Sequence, residues 1–218
     1  MKKIIIIGGK GNGTLVLSTI LNINKVSPSW EILGFLNDRE TEPIAGYPVL
    51  GKVERDVVRE YLKDDEVYFY YALISVKLNY KFLPKLYNLE IPTERFATLI
   101  DPSCVIADNV KIGCGTVIMA QSCVSAFSEI GNFVQILPQS FLATQAKVED
   151  FGYLAPKAYV GAYSTLHKGA YMGPSSSIIE FKSMGEWSLA GMGSVIIKDI
   201  PAYAKVVGNP SREIGKVE

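Results

Sequence analysis

Every sixth residue is a bulky aliphatic in the stretch Leu142-Ala-Thr-Gln-Ala-Lys-Val-Glu-Asp-Phe-Gly-Tyr-Leu154, which contains Val148 at its centre. The same period extends in both directions, from Ile106 to Ile196, without a polar residue. The sixteen positions are Ile106, Ile112, Ile118, Val124, Ile130, Ile136, Leu142, Val148, Leu154, Val160, Leu166, Met172, Ile178, Met184, Ala190 and Ile196. A fixed short period of this kind is typical of a solenoid.

Two further positions of the six-residue unit are restricted. The residue two places before the aliphatic is mostly Ser, Ala or Gly, which allows the chain to bend inward beside it. Glycine often follows the aliphatic, and we expect it there because it tolerates turn dihedrals. Three units, or 18 residues, make one triangular coil, so the pattern predicts a parallel β-helix of five to six coils. An ordinary α/β continuation with fortuitous spacing is the alternative.

The first 99 residues have a different pattern, in which short apolar runs alternate with helix-like segments. Strands are predicted at Lys3–Ile7, Trp30–Leu36 and Glu66–Val76. Helices are predicted at Thr14–Ile23, Arg55–Leu62 and Asn79–Asn88. The sequence therefore predicts a small α/β, Rossmann-like βαβ domain over 1–99, followed by a parallel β-helix over 100–218 with its C-terminal cap; the resemblance described below implies that this β-helix is left-handed.

Composition excludes several classes of protein. The 218 residues contain 22 Lys plus Arg and 22 Asp plus Glu, so no bulk positive charge favours nucleic acid. One histidine and three cysteines are too few for a Cys/His zinc site, so we expect no metal. No window reaches the roughly 18 apolar residues of a membrane span. The cysteines fit a reducing compartment, and we expect a cytoplasmic protein.

The six-residue units and the tail Val195-Ile-Ile-Lys-Asp-Ile-Pro-Ala-Tyr-Ala-Lys-Val-Val-Gly-Asn-Pro210 resemble the left-handed β-helix acyltransferases. The preceding βαβ domain narrows the resemblance to the sugar acetyltransferases of sialic acid O-acetylation and bacterial diamino-sugar N-acetylation. It implies a homotrimer that binds acetyl-CoA between adjacent β-helices. It also implies a nucleotide-sugar, expected to be UDP-linked, held by the N-terminal domain.

The resemblance also implies a histidine base in a segment similar to His-Asp-Cys-Val-Ile-Gly-Asp-Phe. The matching segment here is Thr144-Gln-Ala-Lys-Val-Glu-Asp-Phe151, so Thr144 occupies the position of the base and cannot itself act as one. Glu149 or Asp150 could replace it if their surroundings raised the pKa, or they are exposed turn residues. His167 lies elsewhere on the triangle from Thr144 and is either a base reached across the trimer interface or a solvated histidine.

Substrate-binding candidates lie in the N-terminal domain. Gly8-Gly-Lys-Gly-Asn-Gly13 follows a strand and opens a helix, where backbone N–H groups favour anions. By resemblance, this turn would hold the nucleotide-sugar through Gly8, Gly11, Asn12 and Gly13. Asp38 ends the second strand and can accept hydrogen bonds from a ribose or base. Lys77 is a candidate for a phosphate contact. For the glycine-rich segment Gly8–Gly13, a tight turn with a helix cap and no ligand is the alternative.

Candidates for acetyl-CoA follow from the resemblance. They are Tyr153, Ala162, Gly173, Gly191, Lys198, Lys205, Asn209 and Pro210. The two lysines would meet phosphates, although each could equally be a solvated surface charge.

Two functions remain open at this point. The first is acetyl transfer from acetyl-CoA to an amino or hydroxyl group of a nucleotide-linked sugar in surface glycan synthesis. The second is a catalytically impaired or non-catalytic relative that binds CoA or nucleotide-sugar, or that uses a different acyl donor or acceptor. Thr144 is the residue that keeps the second function open.

Overall fold

The structure, a computed structural model, describes residues 1–74 and 79–217. The chain divides into two compact units, Met1–Pro102 and Ser103–Glu218. Lys77, the predicted phosphate ligand, lies outside the described residues.

The N-terminal unit is a parallel α/β sheet. Its elements are β1 (Lys2–Ile7), α1 (Asn12–Val26), β2 (Trp30–Leu36), β3 (Val49–Gly51), α2 (Arg55–Leu62), β4 (Val67–Tyr71), a 3₁₀ turn (Asn79–Phe82), α3 (Leu83–Asn88), a second 3₁₀ turn (Thr93–Arg95) and β5 (Leu99–Ile100). Four strands form a sheet in the order β3-β2-β1-β4 with every pairing parallel. The β1 side chains from Ile4 to Ile7 are fully buried, which explains the continuous apolar run.

Most predicted N-terminal elements are present, with shifted ends. The strand at Trp30–Leu36 and the helix at Arg55–Leu62 have the predicted bounds. The first helix runs further, from Asn12 to Val26, and the strand predicted at Glu66–Val76 ends at Tyr71. The helix predicted at Asn79–Asn88 is a 3₁₀ turn followed by a short α-helix, because Pro84 near the start of α3 has no N–H to continue the earlier hydrogen-bond pattern.

The C-terminal unit is a left-handed parallel β-helix. Its two-residue strands recur every six residues: β6 (Val105–Ile106), β7 (Lys111–Ile112), β8 (Val117–Ile118), β9 (Cys123–Val124), β10 (Glu129–Ile130), β11 (Gln135–Ile136), β12 (Phe141–Leu142), β13 (Lys147–Val148), β14 (Tyr153–Leu154), β15 (Tyr159–Val160), β16 (Thr165–Leu166), β17 (Tyr171–Met172), β18 (Ser177–Ile178), β19 (Ser183–Met184), β20 (Leu189–Ala190) and β21 (Val195–Ile196). Within each face, a strand pairs in parallel with the strand 18 residues later. The predicted fold class is confirmed.

Three faces follow from this pairing. We call them face 1 (β6, β9, β12, β15, β18, β21), face 2 (β7, β10, β13, β16, β19) and face 3 (β8, β11, β14, β17, β20). The tail extends face 3 with β22 (Ala204–Val207) and the antiparallel β23 (Arg212–Lys216). This hairpin occupies the segment for which a C-terminal cap is expected.

The second residue of each strand points to the axis of the triangle. From Ile118 to Ile196 these residues form one buried apolar cluster. The small residue that precedes most strands is also buried, and at four of these serines the hydroxyl donates to a carbonyl of the next coil, at Ser122, Ser128, Ser140 and Ser164. Ser122 Oγ donates to Leu137 O at 3.1 Å, and Ser164 Oγ donates to Ile179 O at 2.7 Å.

The predicted role of the glycines is wrong. Gly131 and Gly161, which follow the axial aliphatic, do not have a left-handed backbone. They are required because a Cβ on Gly161 would lie 2.5 Å from Glu180 N of the next coil. The left-handed residue comes two places later and is rarely glycine. These corner residues are Gly115, Gln121, Phe127, Phe133, Gln139, Gln145, Phe151, Lys157, Tyr163, Gly169, Ser175, Phe181, Trp187 and Gly193.

Candidate functional site

A crevice of about 630 Å³ opens in the N-terminal unit. It lies at the carboxyl ends of the parallel strands, where open α/β sheets bind their ligands. Its lining includes Gly9, Lys10, Asn12, Gly13, Asn37, Asp38, Arg39, Glu40, Tyr71, Lys81 and Lys85. The lining therefore carries three lysines and an arginine against two carboxylates, those of Asp38 and Glu40, which pair with Lys85 and Lys10. The N-terminus of the 15-residue helix α1 lies at the same opening. This combination favours an anionic ligand such as a phosphate.

The glycine-rich turn forms the floor of the crevice. Gly8 N donates to Leu36 O at 2.9 Å, so the turn stays close to the end of β2. A Cβ on Gly9 would overlap Asn37 Nδ2, so a larger residue there would displace the Asn37 amide from its bond to Gly8 O. Gly11 precedes α1 at φ 93°, which glycine adopts at little cost. Gly9 and Gly11 are therefore set by local geometry, and the turn leads directly into α1, whose first N–H groups have no partner within the helix.

Two asparagine side chains hold the rim of the crevice together. Asn37 Nδ2 donates to Gly8 O at 3.0 Å, while its Oδ1 accepts from Arg39 N and Glu40 N. Asn12 Nδ2 donates to Ile74 O at 2.6 Å, so this predicted ligand residue already bonds the segment after β4. Sequence reasoning did not single out Asn37, although an Asn after a buried strand is a known turn signal.

Asp38 is engaged on both carboxylate oxygens. Oδ1 accepts from Val53 N at 3.0 Å, and Oδ2 forms an ion pair with Lys85 of α3. Loss of hydration raises the pKa of Asp38, but the hydrogen bonds from Lys85 and Val53 outweigh it, so the pKa lies below its usual value. The carboxylate therefore stays charged at neutral pH and stabilises the mouth of the crevice. A ribose or base that donates a hydrogen bond to Asp38 would do so beside the existing bonds from Val53 N and Lys85.

The Asp38–Lys85 pair predicts a pH-dependent difference in stability. The pKa of Asp38 is lower in the folded chain than its ordinary 3.8, so the pair stabilises the fold above that pH. That stabilisation is lost as the pH falls through the lowered pKa. We expect Asp38→Asn to lower the melting temperature by at most a few degrees between pH 5 and 7, because exposed pairs are weak. The difference should vanish in stronger acid.

Differential scanning fluorimetry of both proteins from pH 2.5 to 7 measures this. Asp56→Asn is the matched control, since the Asp56 side chain is 94 % exposed and lies 3.7 Å from Arg59. The control should differ little from the unaltered protein at any pH. An Asp38→Asn difference that grows as the pH falls would contradict the assignment.

Thr144 is exposed at the corner between faces 1 and 2. Its carbonyl accepts from Tyr163 N at 3.1 Å, and Ala162 occupies the same place one coil later. Gln145 follows with φ 57° and donates its N–H to Ala126 O. The corner therefore offers no titratable side chain at position 144, as its sequence predicts.

Glu149 and His167 meet at the next corner, between faces 2 and 3. His167 Nδ1 lies 3.2 Å from Glu149 Oε1, and Lys168 N donates to Glu149 Oε2 at 3.1 Å. Asp150 has a different task, because its Oδ1 accepts from Asn132 N at 2.7 Å and holds the corner of the preceding coil. From the sequence, Glu149 and His167 were considered as separate candidates. Their separation of 18 residues, which is one coil, is the feature that could have predicted their contact.

A groove of about 570 Å³ runs beside this corner on face 2. It is lined by Lys111, Glu129, Ile130, Gly131, Lys147, Val148, Glu149, Asp150 and Lys168. Lys111 pairs with Glu129 at 2.8 Å, and Lys147 lies 3.9 Å from the same carboxylate. The groove is therefore open and mixed in charge.

The remaining acetyl-CoA candidates do not converge within one chain. Tyr153 lies on face 3, stacked on Tyr171 with ring centroids 5.1 Å apart. Burial raises the pKa of Tyr153 to about 12, so it stays a neutral hydroxyl. Gly173 and Gly191 lie at the corner after face 3, and Gly173 allows the backbone of Gly191 to approach closely. These positions are distributed over different edges of the triangle.

The tail candidates are solvent-accessible. Lys198, Asn209 and Pro210 are exposed, and Lys205 is half-buried on β22 opposite Leu189.

Among residues 1–74 and 79–217, no group of His, Cys, Asp and Glu side chains could hold a metal ion. In the same part of the chain no helix is both long and apolar enough to span a bilayer.

Residues 3–76 match the profile of the PglD N-terminal domain family. Among curated proteins, none is significantly similar in sequence. The resemblance stated from the sequence is confirmed by this profile and by solved structures of the same fold.

Three solved structures illustrate the similarity. The acetyltransferase domain of PglB from Neisseria gonorrhoeae superposes with a TM-score of 0.85 at 23 % identity, over 98 % of this chain and all of that one. It has also been solved with acetyl-CoA. A variant of GDP-perosamine N-acetyltransferase from Caulobacter crescentus, bound to CoA and GDP-perosamine, has a TM-score of 0.85 at 21 % identity, over 99 % and 98 % of the chains. WeeI from Acinetobacter baumannii has a TM-score of 0.80 at 24 % identity, over 97 % and 100 %.

Proposed function

We propose that this protein transfers the acetyl group of acetyl-CoA to an amino group of a nucleotide-linked sugar. The observation that carries the proposal is the union, in one chain, of a phosphate-favouring α/β crevice and a left-handed β-helix. Both units, in this order, match the full length of sugar acetyltransferase structures. At the present identities those structures support the fold, and the crevice chemistry supports the substrate class.

The crevice supplies the nucleotide site in this proposal. The glycine turn and the α1 N-terminus bind the diphosphate, with Arg39 and Lys81 adding positive charge, whereas Lys10 and Lys85 are paired with Glu40 and Asp38. Asn37 and Asp38 hold the rim on which the nucleoside rests. Fixing the nucleotide orients the attached sugar, and positioning of reactants accounts for a large share of most enzymatic rate enhancements.

The β-helix supplies the acetyl-CoA site, formed between copies of the chain in a homotrimer. Exposed aromatic residues along the corner between faces 1 and 2 support such an assembly: Phe127, Tyr163 and Phe181 are each more than half exposed, and Tyr163 stacks on Phe181 at 5.0 Å. Apolar edges of this kind are usually covered in an oligomer. The three free cysteines fit a cytoplasmic location.

An acetyl-transfer assay tests the function. The full-length protein is incubated with acetyl-CoA and UDP-, GDP- or dTDP-linked amino sugars, and free CoA thiol is measured. We expect thiol release with at least one nucleotide-linked amino sugar. The same sugar without its nucleotide should have a KM at least about tenfold higher, because it loses the crevice contacts. Absence of thiol release with every acceptor would contradict the proposal.

Thr144 supports a second candidate function, in which the protein binds CoA and nucleotide-sugar without transferring the acetyl group. Threonine does not titrate near neutral pH, and a lost general base costs about 10²- to 10⁴-fold in rate. Calorimetry separates the two functions, since the second predicts binding of CoA and nucleotide without thiol release. A gain of transfer in Thr144→His would then indicate that the ligands are bound in a competent geometry.

A further inference from the structure

The only histidine of the sequence is held by a carboxylate from the neighbouring coil. His167 Nδ1 and Glu149 Oε1 are 3.2 Å apart, and Lys168 N fixes the second oxygen of Glu149. A carboxylate at Nδ1 accepts a hydrogen bond, which keeps the proton on Nδ1 and leaves the lone pair on Nε2. The arrangement therefore prepares the ring to accept a proton at Nε2.

This pair interrupts a column that is otherwise glycine. Gly113, Gly131 and Gly185 occupy the equivalent place in the coils before and after it. A Cβ on Gly131 would lie 2.7 Å from Asp150 N, so side chains are generally excluded there. Two consecutive coils nevertheless carry Glu149 and His167, with side chains about one-third and 44 % exposed. The column therefore carries one hydrogen-bonded pair of ionisable side chains, Glu149 and His167, on two adjacent coils of the β-helix.

The charges around the pair are already committed to other contacts. Asp150 Oδ1 bonds Asn132, and Lys147 lies 3.9 Å from Glu129. Lys168 Nζ lies 5.9 Å from the centre of the Phe151 ring, at the edge of the same groove. Glu149 is therefore the group that faces the imidazole directly. Its carboxylate orients the ring, with Nδ1 directed at Glu149 Oε1 and Nε2 directed away from it.

We propose that His167, oriented by Glu149, is the general base of acetyl transfer in this protein. It lies at a different corner from Thr144, so it serves an acceptor bound between copies of the chain. The inference rests on the proposed function. In the transfer, the acceptor amine attacks the thioester carbonyl, forming the C–N bond while the C–S bond breaks. The proton lost by the amine nitrogen moves to His167 Nε2. The imidazolium then returns it to the leaving CoA sulfur, which departs as a thiol.

His167→Gly tests the base directly, because glycine is the residue of this column elsewhere in the chain. We expect kcat/KM for thiol release to fall about 10²- to 10⁴-fold, with binding of CoA and nucleotide unchanged by calorimetry. The rising limb that a general base gives to the pH profile of kcat/KM should disappear, and added imidazole should restore part of the rate. His167→Asn, which retains a polar side chain, repeats the test if the glycine variant folds poorly.

Glu149→Gln tests the positioning residue. We expect kcat to fall by less than in His167→Gly while KM stays unchanged, because the imidazole remains but loses the carboxylate that orients it. Glu186→Gln, an exposed carboxyl at the same corner one coil beyond Lys168, is the matched control and should keep the parent rate and profile.

The outcomes separate the two proposals. Activity of His167→Gly within about threefold of the parent, with the same pH limb, would overturn the base while leaving the transferase intact. Thiol release by no form of the protein, including the unaltered one, would overturn both. A lost rate that imidazole does not restore, together with weakened CoA binding, would indicate a structural role and overturn the base.

Discussion

Ile178→Asp is expected to prevent the β-helix from folding, whereas Ser177→Asp, one residue earlier, is expected to change stability by less than about 0.5 kcal/mol. Ile178 is fully buried on the axis, while Ser177 points outward from the same strand, β18. A buried, unpaired carboxylate costs several kcal/mol, which approaches the whole stability of a domain. Adding the same charge at the surface has little effect.

Urea unfolding followed by circular dichroism measures both variants. The Ser177→Asp protein should keep the parent midpoint, and Ile178→Asp should give no cooperative transition assignable to residues 103–217. Equal midpoints for the two variants would contradict the axial placement of every sixth residue. The two variants form an informative comparison because each introduces one aspartate, and the two positions are adjacent in the same strand.

Gly161→Ala is expected to destabilise the protein by about 3 kcal/mol, near the upper end for overpacking. The added Cβ would lie 2.5 Å from Glu180 N and from Ile179 C. Both are backbone atoms of the next coil, which cannot rotate away as a side chain does. The coils would have to separate, and the parallel hydrogen bonds between them would lengthen.

Gly193→Ala is the control for this prediction. Gly193 has a left-handed backbone at φ 68°, and an added methyl group would meet no heavy atom within 4 Å, so only the backbone cost of about 1 kcal/mol applies. Chemical denaturation should therefore rank Gly161→Ala well below Gly193→Ala. The reverse order would mean that turn dihedrals, and not contact between coils, determine where this chain needs glycine.

The glycines of the β-helix could be located from the sequence pattern, but their physical role could not. The sequence places glycine after the axial aliphatic, and the structure agrees, but the physical reason differs from the expected one. Left-handed corners are occupied by residues as large as Phe151 and Trp187. Most of these corners donate a backbone N–H to a carbonyl of the preceding coil, such as Phe151 N to Asn132 O at 2.9 Å, which offsets the strain. At Gln121 and Phe127 the acceptor is a side chain of that coil. One sequence does not reveal which positions have this support.

The candidate site was predictable only in part. The crevice follows from a glycine turn after a buried strand, but the use of Asn12 to bond Ile74 depends on a contact 62 residues away. Likewise the sequence predicts that Asp38 is available to a ligand, and in the fold it already holds Lys85 and Val53 N. In the folded chain these polar side chains form hydrogen bonds and ion pairs with one another, because a partly buried polar group without a partner costs free energy.

The amino-acid sequence by itself determined the two units and the coil, because an aliphatic residue at every sixth position can be buried together only on the axis of a three-sided helix. The tertiary structure alone decided what meets across coils. Glu149 and His167 are 18 residues apart and become neighbours only when the chain has turned once around that axis. Local patterns specify which face a side chain takes, whereas the partner it finds depends on the register between coils, which backbone hydrogen bonds establish on folding.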